Sequence, residues 1–305
     1  MKKLPSFFVI GAQKAGTTTL HDWLVRQPNI CLPKLKETHF FSDPEQHRLG
    51  IGWYLRQFPR CGNNAIVGEV DPDYLFFRDT PVRIKERIID PKFVVILRNP
   101  LDRAYSHYQM SRRRGYEELR FREALLQEQE RLSDSGNNFE LNHHSYMARG
   151  RYSELILHYR SVFPSADFLF VKFDDLFGKD TGFETYSRIC KFIGLKSPPS
   201  MTDMYRKSNP ASEPRSLWLR DFLFKPSLLR KFTSRLLPAM TLKMRISYFL
   251  DQINQRPLEP GGNGEHKTVP QEIMRNALHE VELLEKVAHL QLRDWMEVIS
   301  TQYGT

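Results

Sequence analysis

The stretch FFVIGAQKAGTTTLHDWL, Phe7 to Leu24, decides the fold. An apolar run leads into a glycine-flanked turn and then into the Thr-rich start of an amphipathic helix. Strand, tight turn and helix in that order build a parallel α/β sheet. Gly11 and Gly16 have the spacing of the phosphate-loop pattern G-x-x-x-x-G-K-[ST], and Thr18 stands at its Ser/Thr position. Thr17 occupies the lysine position, while Lys14 lies two residues before the second glycine. The loop is therefore either a damaged ATP site or an intact site for a different nucleotide.

The physics favours an anion in either case. A loop of this kind exposes successive backbone N–H groups, and the helix N-terminus behind it adds partial positive charge. Thr17, Thr18 and Thr19 add hydroxyl donors, and the Lys14 ammonium is placed to curl over a bound oxyanion. The plain alternative is a strand–turn–helix with a solvated lysine. Glycines, lysine and threonines all in register weigh against it.

Working outward, short apolar runs alternate with helical patterns. SFFVI (6–10) reads as the first strand and TTTLHDWLVRQ (17–27) as its helix; NAIVGEV (64–70) is a second strand, with a helix around 80–89. KFVVILR (92–98) is a third strand, followed by a helix that Asn99 caps and Pro100 opens. A helix over 151–163 precedes a fourth strand, DFLFVKF (167–173), and a helix over 183–194 ends at Gly194. After SPP (197–199) the composition changes, PLEPGGNGEHKTVP (257–270) is a flexible break, and a last helix runs over 271–296. The expected architecture is α/β: a P-loop-like parallel β-sheet flanked by helices, with a helical C-terminal portion. We read 1–305 as one domain, with a core at 1–199, a variable substrate-side segment at 200–265 and a C-terminal helix in 266–305.

A formal charge of +9 points to an anionic partner, or to no more than a basic, soluble surface. Three cysteines, Cys31, Cys61 and Cys190, share no metal-ligand spacing and indicate neither a disulfide framework nor a zinc site. That fits a reducing compartment. The N-terminus has too short an apolar run for a signal peptide, and no window approaches a membrane span. The expectation is a soluble, cytoplasmic protein.

The loop GAQKAGTTTL resembles the 5′-phosphosulfate-binding loop of the sulfotransferases that use 3′-phosphoadenosine 5′-phosphosulfate (PAPS), in which the lysine sits within the loop. On this resemblance the displaced lysine is in place and the loop is intact. The resemblance implies a second element, a strand ending in Arg and a helix with a Ser eight residues later, both on the 3′-phosphate. VVILRNPLDRAYSHY supplies Arg98 and Ser106. Arg at the carboxyl end of a strand in an open α/β sheet is well placed for bidentate phosphate contact. Arg103 is a further cation nearby, or a solvent-facing one.

KETHFF and GIGWYLRQFP resemble the heparan-type branch and its bacterial relatives, and the match runs from about residue 5 to Trp295. The resemblance implies PAPS as donor, 3′-phosphoadenosine 5′-phosphate (PAP) as product, and no metal. It makes Glu37 the base and puts Lys14, with the Ala15, Gly16, Thr17 and Thr18 amides, on the leaving phosphate. His39 is the alternative base, or a buried, hydrogen-bonded structural histidine. One departure stands out: the branch commonly has EKxPxY after its second strand, and here GEVDPDYLF puts Val70 at the lysine position. Glu69, Asp71 and Asp73 then leave that edge acidic, which favours a neutral sugar, an amine or a small metabolite as acceptor over an anionic polysaccharide.

Residues 215–250 mix bulky apolar side chains with many cations and one acid, Asp221. They are open to three readings: packed helices, a lid over the acceptor, or contact with an anionic membrane surface. Arg206 and Arg215 border a polar loop that the resemblance places near the donor. Three other functions stay open: an ATP-dependent kinase, a non-catalytic basic binding module, and a PAPS-binding protein that has lost transfer. No nucleic-acid partner is expected.

Overall fold

Phe7–Gly11 forms β1, and all five residues are buried, as expected of a strand covered on both faces. It pairs in parallel with β3 (Ile66–Val70) through Phe7↔Gly68 and with β4 (Lys92–Leu97) through Val9↔Val94. β2 (Ile30–Cys31) extends the sheet beside β3, and β5 (Phe168–Lys172) lies beside β4. The strand order is β2-β3-β1-β4-β5, all parallel. Gly68 makes the β1–β3 approach possible, because a Cβ there would sit 2.1 Å from the Phe7 ring.

The computed structural model describes residues 3–133, 138–196 and 269–303, with positions 204, 212–214, 216, 253 and 255–257. The basic segment 215–250 lies outside the described residues except for Ser216, as do Arg206 and Arg215.

Helices α1 (Thr17–Val25), α2 (Pro44–Arg48), α3 (Gly50–Gln57), α4 (Thr80–Lys85) and α5 (Pro100–Arg114) punctuate the first four strands. Next come α6 (Phe121–Ser133), α7 (Asn138–His143), a 3-10 turn (Ala148–Gly150) and α8 (Tyr152–Val162). After β5 stand α9 (Phe173–Phe177), α10 (Gly182–Phe192), α11 (Gln271–Ala288) and α12 (Arg293–Gln302). The Asn99 carboxamide accepts from the Leu101 amide at 3.0 Å, capping α5 as its sequence implies. Gly194 takes φ 101, and Leu195 N–H closes α10 on the Cys190 carbonyl at 2.9 Å.

Two expectations need correction. The last helix is two helices: His289 turns the chain at φ 53, and the Glu285 carboxylate takes the Leu292 amide at 2.6 Å before α12 starts. The cysteines are also not all free, because Cys31 and Cys61 form a disulfide. They are 30 residues apart, but Lys34 N–H bonds to the Gln57 carbonyl, which lays the segment after β2 beside the end of α3 and leaves the two Cα atoms 5.8 Å apart. The cysteine count therefore no longer argues for a reducing compartment. A ring of this size predicts that reduction, or Cys61→Ser, lowers the unfolding free energy by roughly 3–4 kcal/mol. Denaturation midpoints under oxidising and reducing conditions check this, and equal midpoints would mean the bond does not form in solution. Among the described residues no helix is long and apolar enough to cross a membrane.

The chain divides into two units. The first, Met1–Arg103, Arg149–Arg206 and Ala277–Met296, holds the parallel sheet. The second comprises Ala104–Ala148, Lys207–Asn276 and Glu297–Thr305. It contains the antiparallel pair of Ser212–Pro214 with Gln255–Pro257, and a polar knot in which the Glu117 carboxylate accepts from Arg131 at 2.6 Å and Tyr146 at 2.9 Å.

Candidate active site

The loop between β1 and α1 is built around two left-handed residues. Lys14 has φ 70, and Gly16, the N-cap of α1, has φ 81. Glycine is required at the second: a Cβ there would lie 2.3 Å from the Phe177 ring, and left-handed backbone strains other residues. No side chain caps α1, whose first amides have no partner within the helix and face the loop. Thr18 is half-exposed at this end, and Thr17 and Thr19 are each 5% exposed.

Arg98 follows β4. Its guanidinium donates to the Lys14 carbonyl at 2.9 Å and lies over the Phe173 ring at 4.6 Å. The two motifs thus meet, with a cation fixed beside the uncapped N-terminus of α1. Ser106 is half-buried on α5, within the second unit. Arg103 does not face solvent; it is 0% exposed.

Glu37 lies in the irregular segment before α2, its side chain 32% exposed and paired with the Lys36 ammonium. Buried Thr38 follows, its amide and hydroxyl donating to Glu69 Oε1 at 3.2 and 2.6 Å. His39, at φ 51, donates its amide to Asp71 Oδ2 at 2.8 Å. Its ring Nδ1 stands 3.2 Å from Asp71 and 3.4 Å from Asp73. Arg149 completes the network: it meets Asp73 Oδ1 at 2.5 Å and lies over the Phe76 ring at 4.4 Å. Gln13 Nε2, next to Lys14, is 3.5 Å from that same oxygen.

This geometry corrects the acidic edge. Glu69 and Asp71 are fully buried and Asp73 is compensated by Arg149, so no free acidic surface remains there. Val70 is buried too. Ligand-type atoms of His39, Asp71 and Asp73 lie within 4.8 Å of one another, but His39 and Arg149 already neutralise the carboxylates, and the group is an ion-pair network. Partial desolvation disfavours a charged His39, yet Asp71, then Asp73 and Glu37, outweigh it and push the imidazole up to about 10. His39 is hydrogen-bonded as expected, but its side chain is 33% exposed rather than buried. Sequence reasoning missed Arg149, Gln13 and the tyrosines on Glu69. Only the Asp-Pro-Asp run after β3 signalled the network, because Arg149 is remote in sequence.

The chain resembles known proteins along much of its length. The chain is 28% identical over 231 residues to heparan sulfate glucosamine 3-O-sulfotransferase 6 of Homo sapiens, covering 71% of this chain and 63% of that protein. It is 39% identical over 117 residues to the bifunctional heparan sulfate N-deacetylase/N-sulfotransferase 3 of Homo sapiens, covering 36% of this chain and 13% of that protein. It therefore spans less than two thirds of either relative. A sulfotransferase structure from Alicyclobacillus acidocaldarius superposes with a TM-score of 0.65 at 24% identity, covering 96% of this chain and 99% of that one, which bears on the fold. The family model described as the sulfotransferase domain matches residues 4–221, which include the parallel strands, the loop before α1 and the Glu37 segment, and the chain belongs to that family.

Proposed function

We propose that this protein transfers the sulfuryl group of PAPS to a hydroxyl or amine of a carbohydrate acceptor. One observation carries the donor reading: the Arg98 guanidinium, fixed on the Lys14 carbonyl and stacked on Phe173, beside the uncapped start of α1. That arrangement suits a nucleotide with a terminal anion in the loop and a second phosphate by the strand end.

Glu37 takes the acceptor proton as the acceptor's oxygen or nitrogen forms its bond to sulfur. The bond from sulfur to the donor phosphate breaks on the opposite face, and its electron pair stays on the phosphate oxygen. Lys14 and the amides of Gly16, Thr17 and Thr18 stabilise that charge, with the Thr19 hydroxyl in the same turn; the Ala15 amide, expected to join them, is instead held by the Ala12 carbonyl at 3.1 Å. The products are PAP and the sulfated acceptor. A His39 that is protonated at neutral pH has no lone pair for a proton, which supports Glu37 as the base. Exposed Lys34, half-buried Lys36 and the His39 cation around Glu37 suit an acceptor that bears acidic groups. The relatives' names carry heparan sulfate, in line with this.

Thermal unfolding with adenosine 3′,5′-bisphosphate tests the donor. A ligand bound only by the folded state adds about 2.7 kcal/mol at a hundredfold excess over its Kd. The expected result is a raised midpoint with the bisphosphate, lost in Arg98→Ala, and none with ATP and magnesium. Stabilisation by ATP–magnesium alone would make the loop a kinase loop and overturn the proposal.

A further inference from the structure

Glu37, Thr38 and His39 belong to no helix or strand, yet two successive amides of this tripeptide end on buried carboxylates, Thr38 on Glu69 and His39 on Asp71. Glu69 is the more heavily engaged of the two. One of its oxygens accepts from the Thr38 amide and hydroxyl, and the other from Tyr54 at 2.7 Å and Tyr74 at 3.0 Å. A carboxylate offers roughly four lone-pair sites, so four donors are all satisfied only while it is ionised.

The groups around Glu69 come from several elements. Tyr54 comes from α3 and Tyr74 from the turn after β3, both 0% exposed. Phe8 of β1 is its register partner and brings no charge. Tyr159 of α8 holds the Tyr74 carbonyl at 2.7 Å. Asp71 is the neighbouring like charge, and His39 is the cation tied to it.

We propose that Glu69 is a positioning residue for sulfuryl transfer: its ionised carboxylate holds Thr38, and through it sets the Glu37 carboxylate where it meets the acceptor proton. The proposal rests on the reading of Glu37 as the base. Protonating Glu69 turns an acceptor oxygen into a donor, so one of the four donors loses its partner. The Thr38 contacts are the two that tie the irregular Glu37–His39 segment to Glu69, so weakening them is what frees Glu37. Burial, then Asp71, push the Glu69 carboxyl up to about 7 against the pull of Thr38, Tyr54 and Tyr74. The loss of positioning therefore falls in the neutral range, and kcat drops as pH is lowered through about 7.

Tyr54→Phe decides the matter. It removes a donor that favours the ionised form, so the acid limb of kcat moves to higher pH by about one unit. Glu69→Gln, neutral at every pH, lowers kcat throughout and abolishes the limb while leaving the donor's KM in place. A merely structural role lowers stability and moves no limb. Turnover is followed with PAPS as donor and heparan sulfate as acceptor probe. Hydrogen exchange at the Thr38 amide gives a second reading that needs no acceptor: protection lost below pH 7 in the wild type, at higher pH in Tyr54→Phe, and at all pH in Glu69→Gln. Should Glu69→Gln not fold, Tyr54→Phe answers alone. Glu37→Gln runs alongside. If it turns over like the wild type, the base reading falls and the proposal with it. If it is inactive while the other variants leave both the limb and the Thr38 exchange profile unmoved, the proposal alone is overturned.

Discussion

Glu37→Gln is expected to lower kcat by about 10²–10⁴-fold, the range for removing a positioned general base. The amide keeps the size of the side chain and its place before Thr38, but it cannot take a proton from the acceptor. The amides of Thr38 and His39 run to Glu69 and Asp71, and Arg98 to the Lys14 carbonyl, so donor affinity is expected to hold. The signature is a collapse of kcat with an unchanged bisphosphate-induced rise in the unfolding midpoint. His39→Asn is the discriminating partner. If the imidazole were the base, that variant would be the inactive one and Glu37→Gln would retain turnover. The ring's position argues otherwise: Asp71 and Asp73 flank Nδ1 and keep it protonated.

How far such a site is legible in the sequence depends on whether local pattern or tertiary burial sets each feature. β1 and β4 were readable because both are apolar runs with no polar interruption, and the start of α5 because Asn99 and Pro100 state it outright. The turn from β1 into α1 was readable from the glycine spacing, and Gly16 takes φ 81 as the N-cap of that helix. β2 was not foreseen, since a two-residue strand has no periodicity and exists only through its pairing with Ile66 and Val67. The break after α11 carries neither Gly nor Pro, and the helical pattern of apolar residues runs straight through His289. The acidic edge was misjudged for a different reason. Sequence gives the sign of Glu69, Asp71 and Asp73 but not their burial, and two of them are consumed by donors that lie far along the chain or on another element. The same holds for the disulfide, which depends on α3 folding back beside the segment after β2.

Lys14→Ala is expected to cost about 10²–10³-fold in kcat, the scale for removing one preorganised stabiliser of developing charge. Alanine isolates the charge. Lys14 sits at φ 70, and alanine keeps the Cβ that makes this backbone costly, so the loop gains no freedom and suffers no added strain. The Lys14 carbonyl that anchors Arg98 is also retained, so the Arg98 guanidinium keeps its place. A glycine would change both charge and chain entropy, and the two effects could not be separated. Lys14→Arg is expected to recover little, because a planar guanidinium on a longer stem does not replace a compact ammonium over one oxygen. The measurement is single-turnover transfer with the donor prebound. A rate that falls 10²-fold or more in Lys14→Ala while the bisphosphate still stabilises the variant assigns the ammonium to the leaving phosphate. A rate within a few-fold of wild type would leave the N-terminus of α1 to stabilise that charge alone, with Lys14 reduced to a donor-binding cation.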